Sequence, residues 1–316
     1  MAHPRPFRFL AAVQGVYGGT ELASIARRSE AMGYHALVVP DHLIDQLSPT
    51  PTLATIAAAT TTMRIGGFVL NNDLHHPAVL AQDLASLDHL SDGRLDIAIG
   101  GGWNKPEYDA IGLSFDPTPV RQARLEEAVT VLKGCFSAEP FSFAGEHYTI
   151  TDHVGLPAPI QRPHPPFFIG GGGRRTLSLA GREADIVGLA PRILKGQRSD
   201  PRSLTAAATA EKIDWVREAA GDRFDGLEFN IYPSGWPVTV TNDPRSVARE
   251  VIDHHRGRTG IELTEDEVLD SPHLFIGSID GLVEKFVALR ERFAISSILL
   301  GDIGELEPAL ERLVGT

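Results

Sequence analysis

Eight short apolar runs recur along the chain, each followed by a segment with helical spacing, and this alternation constrains the fold more than any other feature. The runs lie at residues 7–13, 36–39, 65–70, 95–99, 167–169, 186–189, 227–231 and 297–300. They are rich in β-branched and aromatic residues and apolar on both faces, as strands are when helices cover both sides of a parallel sheet. Over 316 residues the count gives about 40 residues per strand-helix unit, a normal βα repeat. Between the runs, Leu80, Leu84 and Leu87 form one stripe, Leu125, Val129, Leu132 and Phe136 a second, and Leu282, Phe286, Leu289 and Phe293 a third. Each stripe falls on one helix face and is read as core packing. Pro77 and Pro244 stand at first helical positions, the latter behind Asn242 and Asp243, and Ser278 caps the helix of the last stripe.

Eight such units fit either a (β/α)8 barrel or a doubly wound open sheet. A dinucleotide fold wants Gly-x-Gly-x-x-Gly directly after its first strand, and Gln14-Gly15-Val16-Tyr17-Gly18-Gly19 does not match. The glycine-rich turns instead follow the fourth and fifth strands, at Gly100-Gly101-Gly102 and Gly170-Gly171-Gly172-Gly173, which favours the (β/α)8 TIM barrel. Insertions are expected after strand 4, with a hairpin around Phe141 to Tyr148, and after strand 6, over residues 191–225 with Arg192, Lys195, Arg198 and Arg202. No composition shift marks a boundary, so residues 1–316 read as one domain.

Composition narrows the function classes. Lys and Arg number 29 against 41 Asp and Glu, a net charge of -12, which leaves no chain-wide basic footprint for nucleic acid or an anionic membrane. Any anionic ligand must be held by a local device. Cys135 is the single cysteine, so there is no intrachain disulfide or thiolate cluster. No stretch reads as a bilayer span or secretory signal, and a soluble cytoplasmic protein is expected.

In a barrel, chemistry sits at the C-terminal strand ends, here Gln14, Asp41-His42, Asn71-Asn72, Gly100 to Trp103, Gly170 to Arg175, Ala190 and Asp302. One imidazole, several amides and many backbone donors suit a flat polar ring better than metal hydrolysis. The adjacent pairs His75-His76 and His254-His255 point about 100° apart on a helix, so neither chelates by itself. No Gly-x-Ser-x-Gly elbow is present. A glycosidase needs paired carboxylates, and nothing fixes the separation of Asp41 and Asp302. The four glycines before Arg174 admit two readings: a tight strand-to-helix turn, or a helix N-terminus at which a phosphate approaches bare backbone. Gly100 to Trp103 is likewise either a barrel corner or the floor of a planar ligand. His42 is either a satisfied core histidine or a strand-end catalytic group.

The ordered set of motifs resembles the bacterial luciferase-like flavin monooxygenases and coenzyme F420-dependent reductases. It comprises Asp41-His42, residues 60–65, His76-Pro77 to Ala81, Leu87-Asp88-His89-Leu90-Ser91-Asp92-Gly93-Arg94, Ile99 to Trp103, Glu107-Tyr108 to Gly112, Arg162-Pro163-His164-Pro165-Pro166, Gly170 to Gly173 and Ala184-Asp185. The resemblance implies a (β/α)8 barrel, and its F420-dependent branch is the nearer in flavour. It implies an oxidoreductase that moves a hydride between coenzyme F420 and an unidentified small organic substrate. The alternatives are an FMN-dependent two-component monooxygenase supplied by a partner flavin reductase, and a non-catalytic flavin-binding protein. His42 and Asp41 become the catalytic residues under this resemblance. Asn71, Asn72, Gly102 and Trp103 line the ring, and Gly170, Gly171, Gly172, Gly173 and Arg174 hold its phosphate. A non-proline cis peptide is expected near Asn71-Asn72-Asp73, and a homodimer is common in such a family. The basic cluster of the sugar-phosphate branch is not apparent between Pro191 and Arg202, so a phosphosugar substrate is not expected.

Overall fold

The computed structural model describes residues 5–194, 198–301, 304 and 306–316. Its eight principal strands are β1 (Arg8–Ala12), β2 (Ala36–Val39), β3 (Arg64–Gly67), β4 (Leu95–Gly100), β5 (Phe167–Gly171), β6 (Ile186–Leu189), β7 (Glu228–Ile231) and β8 (Ile295–Gly301). Helices follow every one: α1 (Gly19–Ala31), α2 (Pro49–Ala59), α3 (Pro77–Leu90), α4 (Thr118–Phe136), α5 (Arg174–Glu183), α6 (Ala206–Ala220), α7 (Pro244–Thr259), α8 (Ile279–Phe293) and α9 (Glu307–Leu313). This is the strand-helix order of a (β/α)8 barrel, the expected class. Two compact units can be separated, Met1–Ala12 with Ala31–His35 and Ile169–Thr316, and Val13–Glu30 with Ala36–Phe168.

In the first unit β8 pairs in parallel with β1 and β7, and β7 with β6. Strands β6 and β7 are buried along their whole length, β6 through an apolar run and β7 with its two polar residues paired, Glu228 to Arg8 at 2.8 Å and Asn230 to Ser297 Oγ at 2.9 Å. The Leu282, Phe286 and Leu289 face of α8 is buried, with Phe286 against Phe9 at 6.1 Å between ring centroids and against Phe275 at 5.2 Å. Ser278 accepts from the Gly281 N–H and Asp243 from the Ser246 N–H, so both expected caps operate. Trp236 packs against a cluster from α7 and the segment after it. The insertion expected over residues 191–225 is shorter than the sequence implies. Ile193–Leu194 pairs with Arg198–Ser199 and Pro201–Leu204 forms a 3-10 turn, but Ala206–Ala220 is an ordinary repeat helix. Thr205 caps that helix by accepting from the Ala208 N–H, a start signal the expected boundary overlooked. Lys195 and Asp302 lie outside the described residues.

In the second unit β2, β3 and β4 form a parallel set with Ala36 opposite Arg64 and Ile65 opposite Leu95. Two ionic clamps fix the loops at the N-terminal ends of the strands. Arg94 donates to the carbonyls of Ala57 and Met63 and to Thr60 Oγ1, at 2.7 to 3.0 Å. Asp88, fully buried in α3, accepts from the backbone and side-chain N–H groups of Gln161 at 2.9 and 2.7 Å. The Leu87-to-Arg94 stretch is therefore an architectural element. The antiparallel hairpin Phe141–Ala144 with Thr149–His153 forms as expected. Its turn is held by Glu127, whose carboxylate accepts three successive N–H groups from Glu146 to Tyr148.

The third strand departs from the continuous run of the sequence. It stops at Gly67 and resumes as Leu70–Asn71, which pairs with the end of β4, Asn71 opposite Gly100. The non-proline cis peptide lies in that interruption, at Phe68-Val69, and not at Asn71-Asn72-Asp73. At Asn71 the backbone N–H donates to the Asp41 carboxylate, and the side chain caps a 3-10 turn over Asn72–Leu74 by accepting from the Asp73 N–H. No helix among the described residues is long and apolar enough to cross a membrane.

Candidate active site

In the second unit the ends of β2, the resumed third strand and β4 bring six of the candidate residues into one hydrogen-bonded and packed set. His42 follows β2 and turns its ring toward the short helix Lys105–Ile111. Its Nδ1 donates to Glu107 Oε1 at 2.9 Å, with Oε2 at 3.2 Å. Glu107 is buried, and the Asn104 side-chain amide donates to the same carboxylate. A carboxylate only accepts, so this contact fixes the proton on Nδ1 and leaves Nε2 as the exchangeable position. The Trp103 ring meets the His42 ring edge-on at 5.6 Å between centroids.

Asp41 looks the other way. Its buried Oδ2 accepts from the Asn71 N–H at 2.9 Å and from His75 Nε2 at 2.8 Å. Asn71 in turn offers Oδ1 to the Tyr108 hydroxyl at 3.0 Å and to the Asp73 N–H at 3.2 Å. Tyr108 is fully buried, and burial, with Asp73 beside it, pushes its hydroxyl up to about 12, so it remains a donor at any working pH. Asp73 is held by Arg124 at 2.8 Å. Gly102 sits against this network at φ +68, where an added Cβ would lie 1.9 Å from the Tyr108 hydroxyl and 2.6 Å from Asn71 Oδ1. Arg121 fixes the same turn by donating to the Gly101 carbonyl at 2.8 Å and to that of Gly102. Asn72 points to the hairpin, donating to Tyr148 Oη at 3.2 Å, while its Oδ1 is buried without a partner among the described residues.

The first unit carries the remaining candidates at the β5–α5 turn. Gly173 is the N-cap of α5 and, having no side chain, gives it no side-chain cap hydrogen bond. None of the four glycines has positive φ, so a strained turn does not account for the run. Packing accounts for two of them. A Cβ on Gly171 would meet Thr176 at 2.8 Å, and one on Gly172 would meet the Pro191 carbonyl oxygen at 2.3 Å. A Cβ on Gly173 would meet nothing within 4 Å, which leaves that backbone open to an approaching group. Arg174 is exposed and ion-paired with Glu218 of α6 at 2.6 Å.

Glu107 is a candidate that the sequence did not single out: it lies against His42 in the structure. A signal existed: an acidic residue in the first turn of a helix opened by Asn104, directly behind the Gly-Gly-Gly-Trp corner.

A model of the luciferase-like monooxygenase family matches residues 9–295, and the chain belongs to that family of enzymes. It is 34% identical over 155 residues to an FMNH2-dependent dimethylsulfone monooxygenase of Pseudomonas putida, a match covering 48% of this chain and 42% of the relative. It is also 34% identical over 173 residues to an F420-dependent glucose-6-phosphate dehydrogenase of Kineococcus radiotolerans, covering 52% and 50%. The chain thus spans about half the length of the curated relatives it matches. Among solved structures, the coenzyme F420-dependent tetrahydromethanopterin reductase of Methanopyrus kandleri superposes with a TM-score of 0.75 over 98% of both chains at 18% identity, a likeness of fold. Relatives that use F420 and relatives that use reduced FMN both occur.

Proposed function

We propose that the protein is an oxidoreductase that exchanges a hydride between coenzyme F420 and a small organic substrate. Each unit, taken by itself, offers a feature suited to part of such a group: in the first, a glycine N-cap with open backbone at Gly173 for an anionic tail; in the second, a buried Asn72 Oδ1, without a partner among the described residues, that can accept from a ring N–H. Gly170 to Arg174 hold the phosphate, and Asn71, Asn72, Gly102 and Trp103 line the ring. When bound, the deazaflavin supplies obligate two-electron hydride chemistry. The chain's own contribution is proton management. His42, with Nδ1 committed to Glu107, gives or takes the substrate's proton at Nε2, and the buried carboxylate stabilises the imidazolium that results. Asp41 acts as a positioning residue, because its carboxylate is spent on Asn71 and His75. The His42–Glu107 pair is the observation that carries this reading.

Titration of the purified protein with F420 and with FMN tests the coenzyme; saturable binding of FMN alone would remove the deazaflavin reading. His42→Ala and Glu107→Gln should each lower turnover by about 10²–10⁴-fold, the usual worth of a positioned acid or base, with little change in F420 affinity. A second reading, an oxygen-dependent monooxygenase fed reduced FMN by a separate reductase, draws support from the dimethylsulfone monooxygenase relative. Turnover without oxygen would exclude it. A homodimer is proposed on the resemblance, and sedimentation velocity tests it.

A further inference from the structure

The loops around His42 expose an unusual amount of apolar surface. Leu43 and Ile44, the two residues after it, are 51% and 47% exposed, Trp103 on its edge is 49% exposed, and Val16 in the loop after β1 is 61% exposed. The Leu47 N–H ties the loop after β2 to that after β1 by donating to the Gly15 carbonyl at 3.0 Å, Gln46 Nε2 braces the former from within by donating to the Pro40 carbonyl at 2.6 Å, and Trp103 joins them through its edge contact with His42. Single exposed apolar residues need no explanation, but four on joined loops beside a candidate proton donor do.

The charge carried by the loops themselves is one-sided, and Arg121, which packs against the Gly101–Gly102 turn, is buried with its N–H groups on backbone carbonyls. The segments 14–18, 41–48 and 100–104 contain no Lys or Arg, while Asp41, Asp45 and Glu107 are acidic. The next cation in sequence, Lys105, is ion-paired with Asp109 at 2.6 Å. A carboxylate or phosphate on the substrate would gain no counter-charge from these loops and would face their field. Resting on the reading of His42 as the proton-handling group, we infer that Val16, Leu43, Ile44 and Trp103 form the substrate-selecting rim, and that the substrate is an uncharged, predominantly apolar molecule bearing the reducible or oxidisable group.

Two ketones that differ by one charge test this, acetophenone and 4-acetylbenzoate. Their equilibrium binding to the full chain is measured by calorimetry or ligand-observed NMR, with and without F420. Acetophenone should bind at least tenfold more tightly than 4-acetylbenzoate. Leu43→Asn combined with Ile44→Asn, both exposed positions, should weaken acetophenone at least fivefold while leaving the melting temperature and the F420 affinity unchanged. Equal or tighter binding of the carboxylate, or a double variant that binds acetophenone like the parent, would overturn the inference. A double variant that shifts the sedimentation coefficient but not ketone binding would assign the rim to contact between copies, which also overturns it. Failure to bind F420 with the ketone preference intact would instead count against the coenzyme assignment.

Discussion

Gly102→Ala is the most informative single perturbation of the site, because its cost can be worked from two independent terms. The backbone at Gly102 is left-handed, φ +68, a conformation that costs an ordinary L-residue about 1–2 kcal/mol. The new Cβ would also lie 1.9 Å from the Tyr108 hydroxyl and 2.6 Å from Asn71 Oδ1, an overpacking worth about 1–3 kcal/mol once the network shifts. The sum is about 2–5 kcal/mol. Tyr108→Phe removes the colliding oxygen and, by itself, costs about 1 kcal/mol for the lost hydrogen bond to Asn71 or Asp73. In the Tyr108→Phe background, Gly102→Ala should retain the backbone term and lose part of the steric one. The double variant should then be more stable than the sum of singles by about 1–2 kcal/mol. Urea denaturation followed by tryptophan fluorescence and circular dichroism measures all four corners of the cycle, and coincident transitions show that one free energy describes each. A Gly102→Ala cost below about 1 kcal/mol, or strict additivity with Tyr108→Phe, would refute the claim that this turn is packed against the tyrosine.

Three further outcomes follow from other parts of the chain. Burial alone would raise the Glu30 carboxyl, but N–H groups of Thr62, Met63 and Thr61 outweigh it and bring it from 4.5 to about 2. Its stabilisation is therefore fully present above pH 4.5 and lost as pH falls through 2; Glu30→Gln should cost about 1–3 kcal/mol at pH 7, with the difference from the parent vanishing near pH 2. Burial lowers Lys212 from 10.5 to about 7, so between those values the unfolded chain binds the extra proton and stability rises with pH. The parent should accordingly gain up to about 2 kcal/mol more than Lys212→Met between pH 7 and 9, and parallel pH curves would refute this. At the glycine turn, Gly172→Ala should destabilise by about 1–3 kcal/mol through the Pro191 carbonyl, whereas Gly173→Ala should cost under about 1 kcal/mol yet weaken F420 binding severalfold. Unchanged F420 affinity in Gly173→Ala would remove the phosphate role of that backbone.

The repeat was legible because burial on both faces of a parallel strand writes a continuous apolar run into the sequence. Ala36–Val39 and Ile186–Leu189 match their runs to the residue. The helix starts at Pro77, Asp243 and Ser278 were legible for a local reason, since proline suits a first helical position and the two caps accept N–H groups only three residues away. What failed was non-local or hidden by composition. The run 65–70 looks continuous because apolarity does not record that the strand breaks after Gly67 and resumes two residues short of Asn72. The Ala-rich start of α6 carries no apolar stripe at its head, so the helix passed for part of an insertion.

The candidate site divides along the same line. A histidine after a strand is visible in the sequence, but its partner lies 65 residues on, and only the fold brings the two together. Asp41 and His42, adjacent in the chain and both implied by the resemblance, point to different sides of the strand end, and the Asp41 carboxylate meets Asn71 and His75. The glycine run shows the converse. Four glycines read as one signal, but Gly171 and Gly172 are small because Thr176 and Pro191 press against them, whereas Gly173 combines bare backbone with an open approach. A phosphate site argued from the length of the run would rest partly on packing. Argued from Gly173, it rests on an N-cap that offers no side chain and on the open space beside its backbone, and this is the claim that substitution at Gly173 isolates from substitution at Gly172.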